Sequence, residues 1–191
     1  MNIPGLFLQT RRLFLRRFTP ADAPLLYALD SDPEVMRYIS KGQPTPLATI
    51  ENEVLPRWLA YYDQGDPIGY WAAHEHASGT FIGWFHFRPD HDTPEDMELG
   101  YRLQRSAWGQ GYATEGSRTI IAKAFTAWGV QHIIAKTPVA NTASQRVMQK
   151  CGLRREKFFV YPEHLLPGWT TDERRAVQYG LTQEAYLAAS T

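Results

Sequence analysis

Residues Gln104-Arg105-Ser106-Ala107-Trp108-Gly109-Gln110-Gly111-Tyr112-Ala113-Thr114-Glu115 carry an alternating strand into a helix through two closely spaced glycines. Upstream, Met97-Glu98-Leu99-Gly100-Tyr101-Arg102-Leu103 alternates with the period of a strand; downstream, Ile120, Ile121, Ala124, Phe125 and Trp128 recur at helical spacing. The first N–H groups of such a helix lack intrahelical partners and lie at the positive end of its dipole, so an anion, best a pyrophosphate, belongs there. Gly109 and Gly111 allow positive φ and a close backbone approach to phosphate. Two other phosphate loops do not fit. No Gly-Lys-Ser/Thr follows the turn, and a dinucleotide fingerprint would need a small residue at Thr114 and an early position in the chain.

Working outward, Thr19-Pro20-Ala21-Asp22 and Asp32-Pro33-Glu34 read as helix starts. Ile50, Val54, Leu55, Trp58 and Leu59 predict a longer helix between Pro46 and Tyr62, with Pro56 removing one backbone donor and kinking it. Ile68 to His76 and Thr80 to Arg88 read as a hairpin turning at Ala77-Ser78-Gly79. Beyond the glycine turn, Gly129 ends the helix and a strand spans His132 to Thr137. A helix starting after Asn141 stops at Gly152, and strands follow over Leu153 to Tyr161 and Asp172 to Leu181. This order predicts a mixed α/β fold, with a central, mostly antiparallel sheet of about seven strands flanked by helices.

At 191 residues the chain is expected to form a single domain, residues 1–191. Twenty basic and twenty acidic residues cancel without a basic run, which argues against a nucleic-acid partner. The apolar stretches fall short of the roughly 20 residues of a membrane helix, and the N-terminus has no signal-like segment, so no membrane partner and a cytoplasmic location are expected. Cys151, the one cysteine, reads as a buried residue at a helix end. His74 and His76 share a strand face, but no Cys or acidic residue stands at ligand spacing, so no metal is expected.

Four segments together resemble the GNAT superfamily of acyl-CoA-dependent N-acetyltransferases, and within it the RimJ/RimL-like branch. They are Gln9 to Arg16, which looks like that branch's opening strand, with the helix start Ala21 to Leu26; Glu98 to Tyr101; Trp108 to Glu115; and Asn141 to Leu153. Their order and spacing run through nearly the whole chain. The superfamily's turn usually begins with Gln or Arg three positions before its first glycine; here that place holds Ser106, which leaves phosphate binding to backbone amides.

The resemblance implies a sheet with two central strands splayed apart, acetyl-CoA as co-substrate and an amine acceptor. The acceptor is a protein N-terminal amine or a small-molecule amine. The implied co-substrate contacts are Tyr101, Leu103, Gly109, Gln110, Gly111, Tyr112, Ala113, Thr114, Asn141 and Ser144. Glu98 is the candidate general base; its structural alternative is an ion pair with Arg102 or another cation. His86, His74 and Glu75 are further candidates on neighbouring strands. Asn141 fits a helix N-cap, and the resemblance adds contact with the pantetheine or a water near the thioester. The resemblance also makes Ser144 a donor to the departing thiolate, against the alternative of a surface serine. A backbone amide around Tyr101 to Leu103 would stabilise the oxyanion. Trp108 and Tyr112 read as packing anchors for the turn. Two other readings stand beside the enzyme: a catalytically silent acyl-CoA-binding regulatory module, and a homodimer formed through exposed strands.

Overall fold

The computed structural model describes residues 3–189, which divide into two compact units. The first unit runs to Arg88 and takes up Tyr101–Gly116. It opens on a hairpin, β1 (Leu6–Gln9) and β2 (Leu13–Arg17), where a single strand over Gln9 to Arg16 was expected. The reason is local. The Thr10 hydroxyl accepts the Leu13 N–H at 2.9 Å, and this closes a tight turn between two Leu-Phe-Leu runs. β2 pairs antiparallel with β3 (Gly69–Glu75), and β3 with β4 (Phe81–Pro89), in a register that sets Trp71 opposite Phe85. The last residues of β5 (Met97–Leu103) belong here too, and the Gln104 N–H donates to the Ile82 carbonyl at 2.8 Å.

Three helices cover one face of these strands. α1 (Ala23–Asp30) follows a short 3-10 turn, Pro20–Asp22. α2 (Pro33–Ser40) is capped by Asp32, whose carboxylate accepts the Glu34 N–H at 2.9 Å. α3 (residues 47–60) joins Leu47–Thr49, a π-helical stretch Ile50–Val54 and Leu55–Ala60. Proline explains the π stretch: Pro56 has no N–H, and its ring collides with the carbonyl four residues back in a regular helix. The backbone widens one turn earlier, where the Leu55 N–H reaches the Ile50 carbonyl. The kink anticipated at Pro56 is thus spread over the preceding turn. Leu26, Leu29, Ile50, Leu55, Trp58 and Trp84 form the core of this layer.

The second unit comprises Pro89–Gly100 and the chain from Ser117 onward. The start of β5 pairs in parallel with β6 (His132–Pro138) at Met97↔Ile133 and Glu98↔Ile134. β6 pairs antiparallel with β8 (Arg175–Thr182), and β8 with β7 (Arg154–Val160), which carries a bulge between Arg155 and Lys157. β8 starts later than Asp172 because Asp172 to Arg175 make a turn first. α4 (Tyr112–Thr126) begins in the first unit and ends in the second; α5 (Thr142–Lys150) and α6 (Gln183–Ala188) complete the helices. Ile120, Ile121, Ile133, Ile134 and Val177 are almost fully buried.

The sheet is mixed and mostly antiparallel, with the order β1-β2-β3-β4-β5-β6-β8-β7. Eight strands replace the seven or so expected because the opening strand is a hairpin. Among the described residues no helix is long and apolar enough to cross a membrane.

Candidate active site

The glycine turn lies in the first unit, between β5 and α4. Arg105–Ala107 make a 3-10 turn, after which Gly109 and Gly111 take φ of +73° and +82°. An L side chain is strained at such angles, so both positions call for glycine. Nothing stands within 4 Å of where a Gly109 Cβ would be, so the turn is open on that side. Tyr112, Ala113 and Thr114 follow in the first turn of α4, where backbone N–H groups point out of the helix end toward the turn. The turn therefore fits a pyrophosphate through backbone donors, as its sequence indicates.

Side chains from several elements hold this turn in shape. The Trp108 indole N–H donates to the Leu103 carbonyl at 2.8 Å, and the Gln110 amide to the Ser106 carbonyl at 2.7 Å. Trp108 was read as a packing anchor; the residue is 47% exposed, and it fixes the turn by hydrogen bonding instead. Tyr112 is buried, and its hydroxyl donates to Glu75. That bond, and a second from Ser78, hold the Glu75 carboxyl below its ordinary range. Glu75 is thus occupied in anchoring the turn. Tyr101 is half-buried on β5, with its ring 5.9 Å from that of Phe85, while Leu103 is buried.

Glu98, Asn141 and Ser144 lie in the second unit. Asn141 caps α5: its side-chain oxygen accepts the Ser144 N–H at 3.1 Å. Gln145, on the same helix, reaches the Val139 carbonyl at 2.8 Å and accepts from the Tyr179 hydroxyl at 3.2 Å, so α5 is pinned to β8. Glu98 is half-buried on β5. Its charge adds to the pull on the Lys136 ammonium, whose direct partners are Asp90 at 2.6 Å and Asp92 at 3.3 Å. The cation suggested for Glu98, Arg102, has Asp30 as its carboxylate partner at 2.5 Å and lies over the Trp84 ring.

The two candidate histidines are placed by packing. His86 is buried against Tyr70 and Trp84, and burial, with Arg88 and Arg102 adding to it, drives its pKa well below 6.5. His74 stacks on Phe14 and bonds the Gly79 carbonyl at 3.0 Å; burial lowers its pKa as well. Cys151 is buried, as expected, and burial pushes its thiol up to about 11. Among the described residues no group of three or more His, Cys, Asp or Glu side chains is placed to hold a metal ion.

Three supports of the site were missed by sequence reasoning. Arg12 and Glu115 meet from 103 positions apart. Arg102 and Asp30 meet from 72 positions apart. Gly116 faces the Phe85 ring, where a Cβ would come within 2.4 Å. Of these, only Gly116 left a trace, as a glycine inside an otherwise regular helix.

A mixed sheet whose fifth strand feeds a glycine turn fit for a pyrophosphate, followed by a capped helix one crossover later, is an arrangement that suits an acyltransferase with a pyrophosphate-bearing co-substrate. The profile of the Acetyltransferase (GNAT) domain matches residues 12–154, and the chain belongs to the GNAT acetyltransferase family, of the RimJ/RimL type, as an acetyl-CoA-dependent N-acetyltransferase. It is 34% identical to the FsC-acetyl coenzyme A-N(2)-transacetylase of Aspergillus fumigatus over 94% of this chain and 77% of that protein. In structure it is similar to a GNAT acetyltransferase from Bacillus anthracis, with a TM-score of 0.77 and 24% identity over 93% of this chain and 99% of the other. It also resembles RimL, the ribosomal L7/L12 alpha-N-protein acetyltransferase, solved with coenzyme A: TM-score 0.75 and 15% identity over 94% and 99% of the two chains.

Proposed function

We propose that the protein acts as one cytoplasmic acetyltransferase domain that acetylates a primary amine of a small molecule by direct attack within a ternary complex. The observation that carries the co-substrate half of this reading is the open glycine turn at the head of α4, with Gly109 and Gly111 both at positive φ. The acceptor half rests on sequence. The Aspergillus fumigatus N(2)-transacetylase is 34% identical, whereas RimL, an alpha-N-protein acetyltransferase, is 15% identical. A single working domain is supported by the family match over residues 12–154, which draws on both compact units.

In this reading the amides of Gly109 to Thr114 receive the pyrophosphate, and Tyr101 and Leu103 supply backbone contacts to the acyl arm. The amine nitrogen bonds to the thioester carbon and the C–S bond breaks. One amine proton passes toward Glu98 through water, and Ser144 donates to the departing thiolate while Asn141 orders the start of α5. An α-amine with a pKa near 8 is partly neutral at pH 7.5, so Glu98 has less to do there than it would for a lysine near 10.4. The test is thiol release from acetyl-CoA with a panel of small α-amines, ω-amines and N-terminal peptides, on wild type and Glu98→Gln. Turnover confined to small amines, reduced about 10²-fold or more in the variant, supports the reading. Turnover only on peptides overturns the acceptor class, and none on any amine despite acetyl-CoA binding overturns the enzyme mechanism.

A further inference from the structure

The turn between β1 and β2 places Arg12 against the glycine turn. Its guanidinium works as a fork: Nε donates to Glu115 Oε2 at 2.6 Å, and one terminal nitrogen donates to the Gln110 carbonyl at 2.9 Å. The Arg12 backbone N–H donates to the other Glu115 oxygen at 2.8 Å, where the Thr10 hydroxyl joins it at 2.6 Å. The guanidinium also lies over the Tyr112 ring, 4.5 Å from its centre. Its second terminal nitrogen stands 3.5 Å from the position a Gly111 Cβ would occupy.

Two consequences follow for the turn. In a trans peptide the carbonyl and the next N–H lie in one plane and point in opposite directions across the C–N bond, so tying down the Gln110 carbonyl aims the Gly111 N–H away from Arg12. Glu115 is a carboxylate in the first turn of the helix, where it would repel an incoming pyrophosphate. The Arg12 guanidinium pairs it there and offsets that repulsion, while the neutral Thr10 hydroxyl only adds a hydrogen bond.

We propose that Arg12 is the positioning residue of the co-substrate turn: its fork orients the Gln110–Gly111 peptide and neutralises Glu115, so that backbone amides alone receive the pyrophosphate where Ser106 offers no long polar side chain. This rests on the reading of the turn as the acetyl-CoA site. Lysine keeps the charge but lacks the planar fork that serves the two acceptors from separate nitrogens in fixed directions, so charge and orientation separate in Arg12→Lys.

The experiment is calorimetric titration of acetyl-CoA into wild type, Arg12→Lys and Thr10→Val, with nitrogen-15 spectra of the glycine amides and arginine Nε groups. In wild type, acetyl-CoA should shift the Gly111 amide and leave the Arg12 Nε resonance in place. Arg12→Lys should displace the Gly111 amide before ligand is added and weaken acetyl-CoA at least tenfold. Thr10→Val, which loosens the same corner without touching the Gln110 carbonyl, should stay within about threefold of wild type. Arg12→Lys binding as wild type does, Thr10→Val weakening as much as Arg12→Lys, or an Nε shift on binding would each overturn the proposal. The wild-type spectra decide even if Arg12→Lys fails to fold. Failure of wild type to bind acetyl-CoA would instead sink the reading of the turn itself.

Discussion

Gly116 of α4 sits against the outer edge of the Phe85 ring so closely that a Cβ would come within 2.4 Å of Cζ, and Phe85 is itself fully buried. The ring has nowhere to go. Alanine raises helix propensity by about 1 kcal/mol over glycine, and forcing a methyl into a filled core costs about 1–3 kcal/mol. At this distance the packing cost outweighs the propensity gain. Gly116→Ala is expected to lower stability by up to about 2 kcal/mol, seen as a lower urea midpoint with an unchanged slope. A midpoint above that of wild type would show that α4 can lift off the sheet.

What could be read from the sequence was local. Gly109, Gly111 and Gly129 mark their backbone angles within a few residues, and Asn141 caps the helix it immediately precedes. Thr10 was misread for a similar reason: a side-chain-closed turn looks like a polar interruption of one strand. Partners across the fold were not legible. Strand periodicity puts Glu98 and Arg102 on one face, yet it cannot show that Asp30 would take Arg102, or that Glu115 would take Arg12. Those pairings depend on how α1 and the first hairpin return to the sheet, which no spacing within either segment records.

The same kind of long-range pairing holds the second unit. Lys136, on β6, reaches Asp90 at 2.6 Å; the lysine side chain is 10% exposed and that of the aspartate 2%. Burial would raise the Asp90 carboxyl, but the Lys136 ammonium, with Thr93 and its backbone N–H, overrides this and holds it below its ordinary range. Asp90→Asn leaves the largely buried Lys136 ammonium with the exposed Asp92 at 3.3 Å as its remaining direct carboxylate partner, so the variant is expected to cost about 1–3 kcal/mol. A folded pKa below the unfolded one contributes stability above the unfolded value, and that contribution is lost as pH falls through the folded one. Wild type should therefore hold its advantage over Asp90→Asn at pH 5 to 7 and lose it below pH 4. Denaturant titration at each pH measures the difference.

Two histidines should pull stability in opposite directions with pH. His132 sits between Asp96 at 2.8 Å and Glu156 at 2.9 Å. Glu156 gets there because it occupies the β7 bulge and crosses Gly180, which leaves room for its carboxylate. Burial opposes the charged ring, but the two carboxylates prevail and raise its pKa. Its contribution is complete below pH 6.5 and disappears as pH rises through the folded value. His86 is buried with no hydrogen-bond partner, and its pKa is depressed, so its neutral form is favoured above 6.5 and stability falls as acid protonates the unfolded chain. Between pH 8 and pH 6, wild type should gain on His132→Gln. Between pH 7 and pH 5, it should lose ground to His86→Phe. Parallel behaviour of the two variants would refute one of the two environments.

Asn141 allows the structural and chemical roles to be separated. Its side chain accepts the Ser144 N–H at 3.1 Å, and loss of such a cap costs about 1 kcal/mol. Aspartate caps as well as asparagine does, but it brings a charge and gives up the amide donor. Asn141→Ala is expected to lower stability by about 1 kcal/mol, whereas Asn141→Asp should keep the unfolding midpoint near that of wild type. If the amide also orders the region of the thioester, both variants lose turnover, and the loss in Asn141→Asp comes without a loss of stability. Thermal unfolding and thiol release, measured on the same preparations, give the two readouts. Full turnover in Asn141→Asp would confine Asn141 to capping and leave Ser144 and Glu98 as the side chains to test for chemistry.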